Sequence, residues 1–370
     1  MSKAIFIDGS PLCGKLTGIG YITKNMIIHV ANTNPDCQFI ICAPYPISEF
    51  SEGNISVNPF SGAVKDKHQF GWRIYWFDFI LPKLVIESKA DIFWALNGLV
   101  PFRLEKSVDV ALWVYDFVFH FYPETMDLFP RLYRKLNFDF WGTKAKWRFC
   151  LTHSVAGEMS EIFDLDNDGI TYPGINKDFF VERVFDPSLT EQYFVVLGTL
   201  EPRKNLKQLT RVVYSIVEEG KWPVGLSIKF IGARGWKNDD FQNLLYKLEE
   251  KRVIQILDYL PREEVISLLS GAKALLMPSL YEGFGMPVAE ALASGCPVIC
   301  SDIKPFREID RNDNCIFHNF DDENIKYIYE QILNGGIKLP SVVDKSGLWE
   351  FDWSLSASKF SAQVIDGAGN

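Results

Sequence analysis

The sequence has no Cys-x-x-Cys pair, and its seven cysteines, at 13, 37, 42, 150, 296, 300 and 315, are odd in number. This removes the paired framework of a disulfide-stapled secreted domain and fits a reduced, cytoplasmic compartment. Histidine is scarce, with five residues scattered and none at zinc-ligand spacing. No run of 18 or more apolar residues occurs, and the apolar stretch in the opening MSKAIFIDGS is too short for a secretory signal. Positive charge is also short: 38 Lys and Arg stand against 47 Asp and Glu, a net of -9. A general nucleic-acid binder needs the opposite balance to neutralise phosphates, so no nucleic-acid partner is expected. Low-complexity tracts and short-period repeats are missing as well.

What is there is apolar material. Of 370 residues, 47% are hydrophobic, enough for two cores in a chain too long for one ordinary domain. Short apolar runs alternate with longer periodic segments. In the first half the runs are Ala4 to Ile7, CQFIICA, ADIFWAL, VALWVY and FCLTHS. Between 174 and 192 the texture turns polar, around Pro187. A second alternation follows, through YFVVLGTL, LSIKFIGA, VIQILDY, KALLMPS and PVICS. Strand and helix in alternation predict parallel sheets covered by helices. The reading is α/β: a Rossmann-like domain over 1–175, another over 176–350, and a terminal helix over 351–370 that packs back on the first domain. The segment 68–84, HQFGWRIYWFDFILPKL, reads as a buried helix.

One stretch poses a chemical question. LYEGFGMPVAE, residues 280–290, places Glu282 and Glu290 eight positions apart across Gly283, Phe284, Gly285 and Met286. Eight helical steps would separate them by roughly 12 Å, so one helix does not bring them together. As a loop after KALLMPS, followed by a helix with Pro287 at its start, the stretch sends both carboxylates toward one crevice at the carboxyl end of a sheet. Glu290 is then expected in the first turn of that helix. Amide donors from the glycine turn and two carboxylate acceptors suit a sugar nucleotide, because a carboxylate accepts from a vicinal diol.

YEGFGMPVAEALASGCPVICSDI (281–303) resembles the signature of the retaining glycosyltransferase family 4, whose members share the GT-B fold of two Rossmann-like domains facing each other across a cleft. LGTLEPRKNL (197–206) is similar to that family's phosphate-binding segment, KLTGIGYIT (15–23) to its N-terminal glycine loop, YPGIN (172–176) to its domain boundary and YDFVFHFYPE (115–124) to its acceptor-side loop. IDGSPLCGKLTGIGYIT looks most like the mannosyltransferase-rich branch of bacterial surface-polysaccharide synthesis. The resemblance implies a donor site in which Glu290 holds the ribose, Glu282 holds the sugar, and the backbone of Gly283, Phe284, Gly285 and Met286 binds sugar and distal phosphate. It gives Arg203 and Lys204 the diphosphate, and Gly18 and Gly20 a contact with it on closure. Tyr115, Asp116 and His120 would face the acceptor, with Asp116 counted among the catalytic residues. The implied reaction retains anomeric configuration, without cofactor or metal. The donor would be GDP-mannose and the acceptor a glycan or lipid-linked oligosaccharide of O-antigen or capsule assembly. A UDP- or dTDP-sugar donor, and a non-catalytic sugar-nucleotide-binding subunit, are the alternatives. Tyr115 departs from the family, where His commonly precedes the Asp.

Three other patterns compete. GSPLCGKL (9–16) matches Gly-x4-Gly-Lys, but Leu16 stands where a P-loop needs Ser or Thr, and Thr17 is one step late. DLDNDG (164–169) imitates a calcium loop whose twelfth position would be Glu; it is Ile175. RLYRKLNFDFWGTKAKWRF (131–149) carries six basic residues, one acid and six aromatics. It reads either as docking on an anionic membrane, which would make the protein peripheral on the inner face of the plasma membrane, or as an ordinary helix with a solvated basic face.

Overall fold

The computed structural model describes residues 2–47, 50, 53–59, 70–198, 201–232 and 239–367. His68 and Gln69 of the segment 68–84, and Thr199 and Leu200 of the phosphate-binding segment, lie outside the described residues. The chain divides into two compact units, residues 1–174 with 351–370, and residues 175–350.

The first unit is built on a seven-stranded sheet: β1 (Ala4–Asp8), β2 (Gln38–Ala43), β3 (Ile55–Pro59), β4 (Ile92–Ala95), β5 (Asp109–Val114), β6 (Trp147–Cys150) and β7 (Gly169–Ile170). Its order is β3-β2-β1-β4-β5-β6-β7, and every pairing is parallel. Helices on both faces explain why these strands are continuous apolar runs rather than alternating ones. Trp94, Trp113 and Phe149, from β4, β5 and β6, form an aromatic seam that Phe360 completes, stacked on Trp94 with centroids 4.1 Å apart. Phe360 comes from the helix Trp353–Phe360, so the end of the chain belongs to this core. Ser356 Oγ donates to the Tyr172 carbonyl at 2.6 Å, and a Cβ on Gly174 would meet Trp353 at 2.5 Å. This helix is shorter than the expected 351–370: the Asp352 carboxylate caps it by accepting from the Ser354 amide, which fixes its start at Trp353.

The segment expected to be buried before residue 84 is buried on one side only. It forms helices Phe70–Tyr75 and Leu81–Glu87 around a π-turn at Trp76–Ile80. Trp76, Phe77, Leu81 and Val85 face the core, whereas Tyr75 and Phe79 are exposed.

The second unit carries β8 (Gln192–Leu197), β9 (Leu226–Ile231), β10 (Ile254–Leu257), β11 (Leu275–Met277), β12 (Val298–Ser301) and β13 (Cys315–His318), in the order β10-β9-β8-β11-β12-β13, again all parallel. Helix Leu206–Glu218 lays Leu206, Leu209, Val213 and Ile216 against Phe194, Ile228 and Phe230 of the sheet. In both units the strand order reverses beside the first strand, between β1 and β4 and between β8 and β11. Open parallel sheets bind ligands at this switch, outside the carboxyl ends of the strands. Among the described residues no helix is long and apolar enough to cross a membrane.

Candidate active site

The switch in the second sheet gathers the residues of both sequence motifs. β8 ends at Leu197, and the chain then turns through the short 3-10 segment Pro202–Lys204. Asn205, with φ of 55°, reverses the backbone into the following helix. β11 ends at Met277, and its loop runs to Gly285. The two loops are tied directly, with the Leu280 amide donating to the Arg203 carbonyl at 2.8 Å.

Three side chains converge on Glu282. Lys204 Nζ donates to Oε1 at 2.5 Å, Ser279 Oγ to Oε1 at 2.9 Å, and Arg203 Nη1 to Oε2 at 2.9 Å. Arg203 Nε also donates to Glu201 at 3.0 Å. Glu282 is buried, and so is Lys204. Burial works against ionising Glu282, but the charges of Lys204 and Arg203 outweigh it and hold the carboxyl at about 2. Burial pulls the Lys204 ammonium below its ordinary range, with Glu282 opposing the shift and Arg203 adding to it. An ammonium has three donors. Glu282 is the one acceptor of Lys204 Nζ among the described residues, which leaves two of its N–H bonds with no acceptor among them. The structure thus gives Glu282 a task the motif alone did not reveal: it anchors two cations.

Glu290 is the opposite case. It lies in helix Met286–Ala293, as its fifth residue, and therefore opens the second turn rather than sitting in the first. Gly285 precedes that helix with φ of 113°, and a Cβ there would meet Phe306 Cε1 at 2.6 Å, so both backbone and space require glycine. Among the described residues no donor engages the Glu290 carboxylate. Burial raises its pKa to about 7, with the Arg262 charge partly offsetting the rise. The side chain keeps part of its surface open to solvent, which moderates that penalty. Gly283 and Phe284 are buried, and Met286 is half-buried.

The first sheet places different chemistry at its switch. Asp8, the last residue of β1, is buried; Oδ1 accepts from the Ser10 amide at 3.0 Å and from the Ser10 hydroxyl, and Oδ2 accepts from Asn97 Nδ2 at 2.8 Å. Burial raises its pKa, against the bonds from Ser10. Tyr115, just past β5, donates its hydroxyl to the Leu96 carbonyl at 2.6 Å, and burial raises its pKa too. Asp116 accepts from the Val118 amide at 3.2 Å and borders a small depression with Gly98, Tyr115 and Arg134. His120 is exposed, edge-on to Phe121, and does not line that depression. Gly18 is exposed at the start of helix Gly18–Thr33, with open space where a Cβ would sit. Gly20 is buried, and a Cβ there would lie 2.4 Å from the Pro11 carbonyl oxygen, so packing alone accounts for that glycine.

Sequence reasoning passed over Asp8, Asn97, Ser279 and Glu201. Asp8 carried a signal, as the one charged residue closing an apolar strand; Asn97 and Ser279 carried none that spacing shows. Among the described residues no group of three or more His, Cys, Asp or Glu side chains gathers as a metal site.

Comparisons with known proteins point the same way as this geometry. Residues 180–347 match the family described as Glycosyl transferases group 1. The chain is 35% identical to O-antigen chain mannosyltransferase B of Escherichia coli over 119 residues, 32% of this chain and 30% of that protein. It is 25% identical to O-antigen chain mannosyltransferase RfbU of Salmonella typhimurium over 255 residues, 68% of this chain and 67% of that one. The match thus spans about a third of the first relative's length and two thirds of the second's. Its fold is similar to that of the apo lipopolysaccharide outer core galactosyltransferase WaaB, with a TM-score of 0.65 at 15% identity over 99% of both chains. The expected architecture, two Rossmann-like α/β domains of the GT-B type, is the one found.

Proposed function

We propose, for a chain whose residues 180–347 match the group 1 glycosyl transferases, that it moves a hexose from a nucleoside-diphosphate sugar to a glycan or lipid-linked acceptor. The observation that carries this reading is the pair Arg203 and Lys204, held by buried Glu282 at the switch between β8 and β11. Breaking the bond from the anomeric carbon to the diphosphate leaves negative charge on a phosphate oxygen. Two cations already held in place, Lys204 buried and Arg203 partly so, stabilise that charge with little reorganisation at the moment of reaction. Glu290, whose carboxylate lacks a protein donor among the described residues, takes the ribose hydroxyls.

The bond to the diphosphate breaks and a bond from the acceptor oxygen to the same anomeric carbon forms on the same face. The acceptor proton passes to the departing phosphate. Retention follows, and the two cations take the place a metal ion would fill. Mannose from GDP-mannose is the sugar we favour, because both O-antigen relatives are named as mannosyltransferases.

Thermal unfolding with GDP, UDP, dTDP, CDP and ADP in parallel tests the donor. A nucleotide at 100 times its Kd stabilises the protein by about 2.7 kcal/mol. GDP alone is expected to do so; UDP or dTDP instead would replace the donor, and ADP alone would overturn the site. Lys204→Ala is expected to lower turnover by roughly 10²- to 10³-fold, the usual loss for one electrostatic donor to a developing oxyanion. Unchanged turnover would remove Lys204 from the reaction.

A further inference from the structure

Helix Leu128–Trp141 is apolar on two opposite sides. Phe138 and Trp141 face the core, with Asn137 bonded to both the amide and the carbonyl of Val100. On the far side Leu128, Leu132, Leu136 and Phe140 recur every fourth residue, with Phe129 beside them. They are 74%, 49%, 51% and 40% exposed, and Phe129 60%. A spacing of four makes one continuous stripe. An apolar stripe of this length on a protein surface marks a contact.

The stripe continues onto a second element. Phe140 meets Phe102 edge-on at 5.8 Å, and the next residue, Arg103, lies over the Phe79 ring at 4.1 Å. Phe79 stacks on Tyr75 at 5.5 Å, and both are exposed. Asp78 locks the two elements together, accepting from the Phe102 amide and the Tyr133 hydroxyl, each at 2.9 Å.

Charge decides what covers this surface. Of the basic residues in 131–149, Lys135 pairs with Asp139, Lys146 pairs with Asp109, and Arg148 donates to the carbonyls of Gly142, Ala145 and Asp166. The plain basic patch read from the sequence is therefore half consumed within the protein. Of the rest, Arg134 lines the depression beside Tyr115 and Asp116, while Arg131 and Lys144 lie by the stripe. Arg103, Arg131 and Lys144 form no ion pair among the described residues, and Lys144 sits 3.2 Å from the centre of the Phe140 ring. In a chain of net charge -9, three cations without an ion pair rim one exposed apolar stripe. A second copy of the chain would bring these cations against themselves. An anionic lipid interface answers both parts, since acyl chains cover the leucines and headgroups meet the cations.

We infer that the face formed by helix 128–141 and residues 72–79 docks flat on an anionic phospholipid surface. The inference deepens the lipid-linked acceptor reading, yet it stands on the surface alone, and vesicle binding is read without donor or acceptor. Its failure is therefore separate from failure of the donor site.

The test is sedimentation of the full chain with vesicles of phosphatidylglycerol and phosphatidylethanolamine, and with phosphatidylcholine alone. Binding is expected only to the first, falling as salt rises from about 0.05 to 0.5 M. Leu132→Ser with Leu136→Ser, and separately Arg131→Glu with Lys144→Glu, should each weaken it about tenfold or more. All four positions are on the surface, and unchanged unfolding curves confirm that the variants fold. Vesicle binding that both variants leave intact would overturn the inference. So would a dimer that the leucine variant splits, in a protein that ignores vesicles: the face would then belong to a second copy.

Discussion

The two sheets of this protein reverse their strand order at the same place and do different things there. Between β1 and β4, Asp8 accepts from Ser10 and Asn97, Asn97 accepts in turn from the Leu99 amide, and Tyr115 donates to the Leu96 carbonyl. Between β8 and β11, two cations converge on one buried acid. The topology supplies a crevice in both cases. What fills it is decided by a few side chains, so the first switch is a polar knot and the second a pair of cations gathered on one acid.

Removing the acid that organises the second switch should produce the largest change in stability. Glu282→Ala leaves Lys204 buried and unpaired, and losing one partner of a buried ion pair lowers stability by about 3–5 kcal/mol. Urea unfolding at pH 7 measures this. The sign of the pH dependence follows from the depressed carboxyl, at about 2 in the folded chain. An acid whose pKa is lowered by folding stabilises the protein above its unfolded value of about 4.3, and the gain is lost as pH falls toward 2. The wild-type advantage over the variant should shrink across that window. A constant difference from pH 6 down to 3 would mean that the ion pair is not what Glu282 contributes.

The matching change in the first switch should be smaller. Asp8→Asn keeps an acceptor for Ser10 but sets an amide donor against the Asn97 amide, or the reverse if it flips. One unsatisfied buried group costs about 1–3 kcal/mol. Burial already raises the Asp8 pKa, so removing the charge returns part of that loss. The net expectation is a drop of about 1 kcal/mol, with nucleotide stabilisation unchanged. If Asp8→Asn were as damaging as Glu282→Ala, the contrast between polar knot and charged site would collapse.

How much of this was legible in the sequence follows from the range of each interaction. The parallel strands were legible because burial on both faces writes unbroken apolar runs. The turn at Gly285 was legible because only glycine fits φ of 113° beside Phe306. The partners of each acid were not. Lys204 is 78 residues from Glu282 and Asn97 is 89 from Asp8, and no local pattern connects them. Helix 128–141 shows the same limit in another form. Its spacing predicts an amphipathic helix, but only packing decides which apolar side meets the core and which is left outside.

Glu290 gives the smallest effect and the finest test, because it titrates in the opposite sense to Glu282 within the same site. Its folded pKa, raised to about 7, lies above the unfolded value of about 4.3. Between these values the folded chain binds more protons than the unfolded one, so stability falls as pH rises through the window. Glu290→Gln removes that slope and should stabilise the empty protein at pH 8, by no more than about 1 kcal/mol given the partial exposure of the side chain. Ligand binding should run the other way. Ribose hydroxyls donate hydrogen bonds, and an ionised carboxylate is the better acceptor, so nucleotide affinity should rise from pH 6 to 8 in the wild type and stay flat in Glu290→Gln. Calorimetric titration with GDP across that range, beside unfolding curves without it, reads both slopes. Opposite slopes in the wild type, both abolished by the variant, would tie Glu290 to the ribose. If the affinity slope survives the substitution, the hydroxyls are held elsewhere, and Glu290 is only an acid in an unfavourable place.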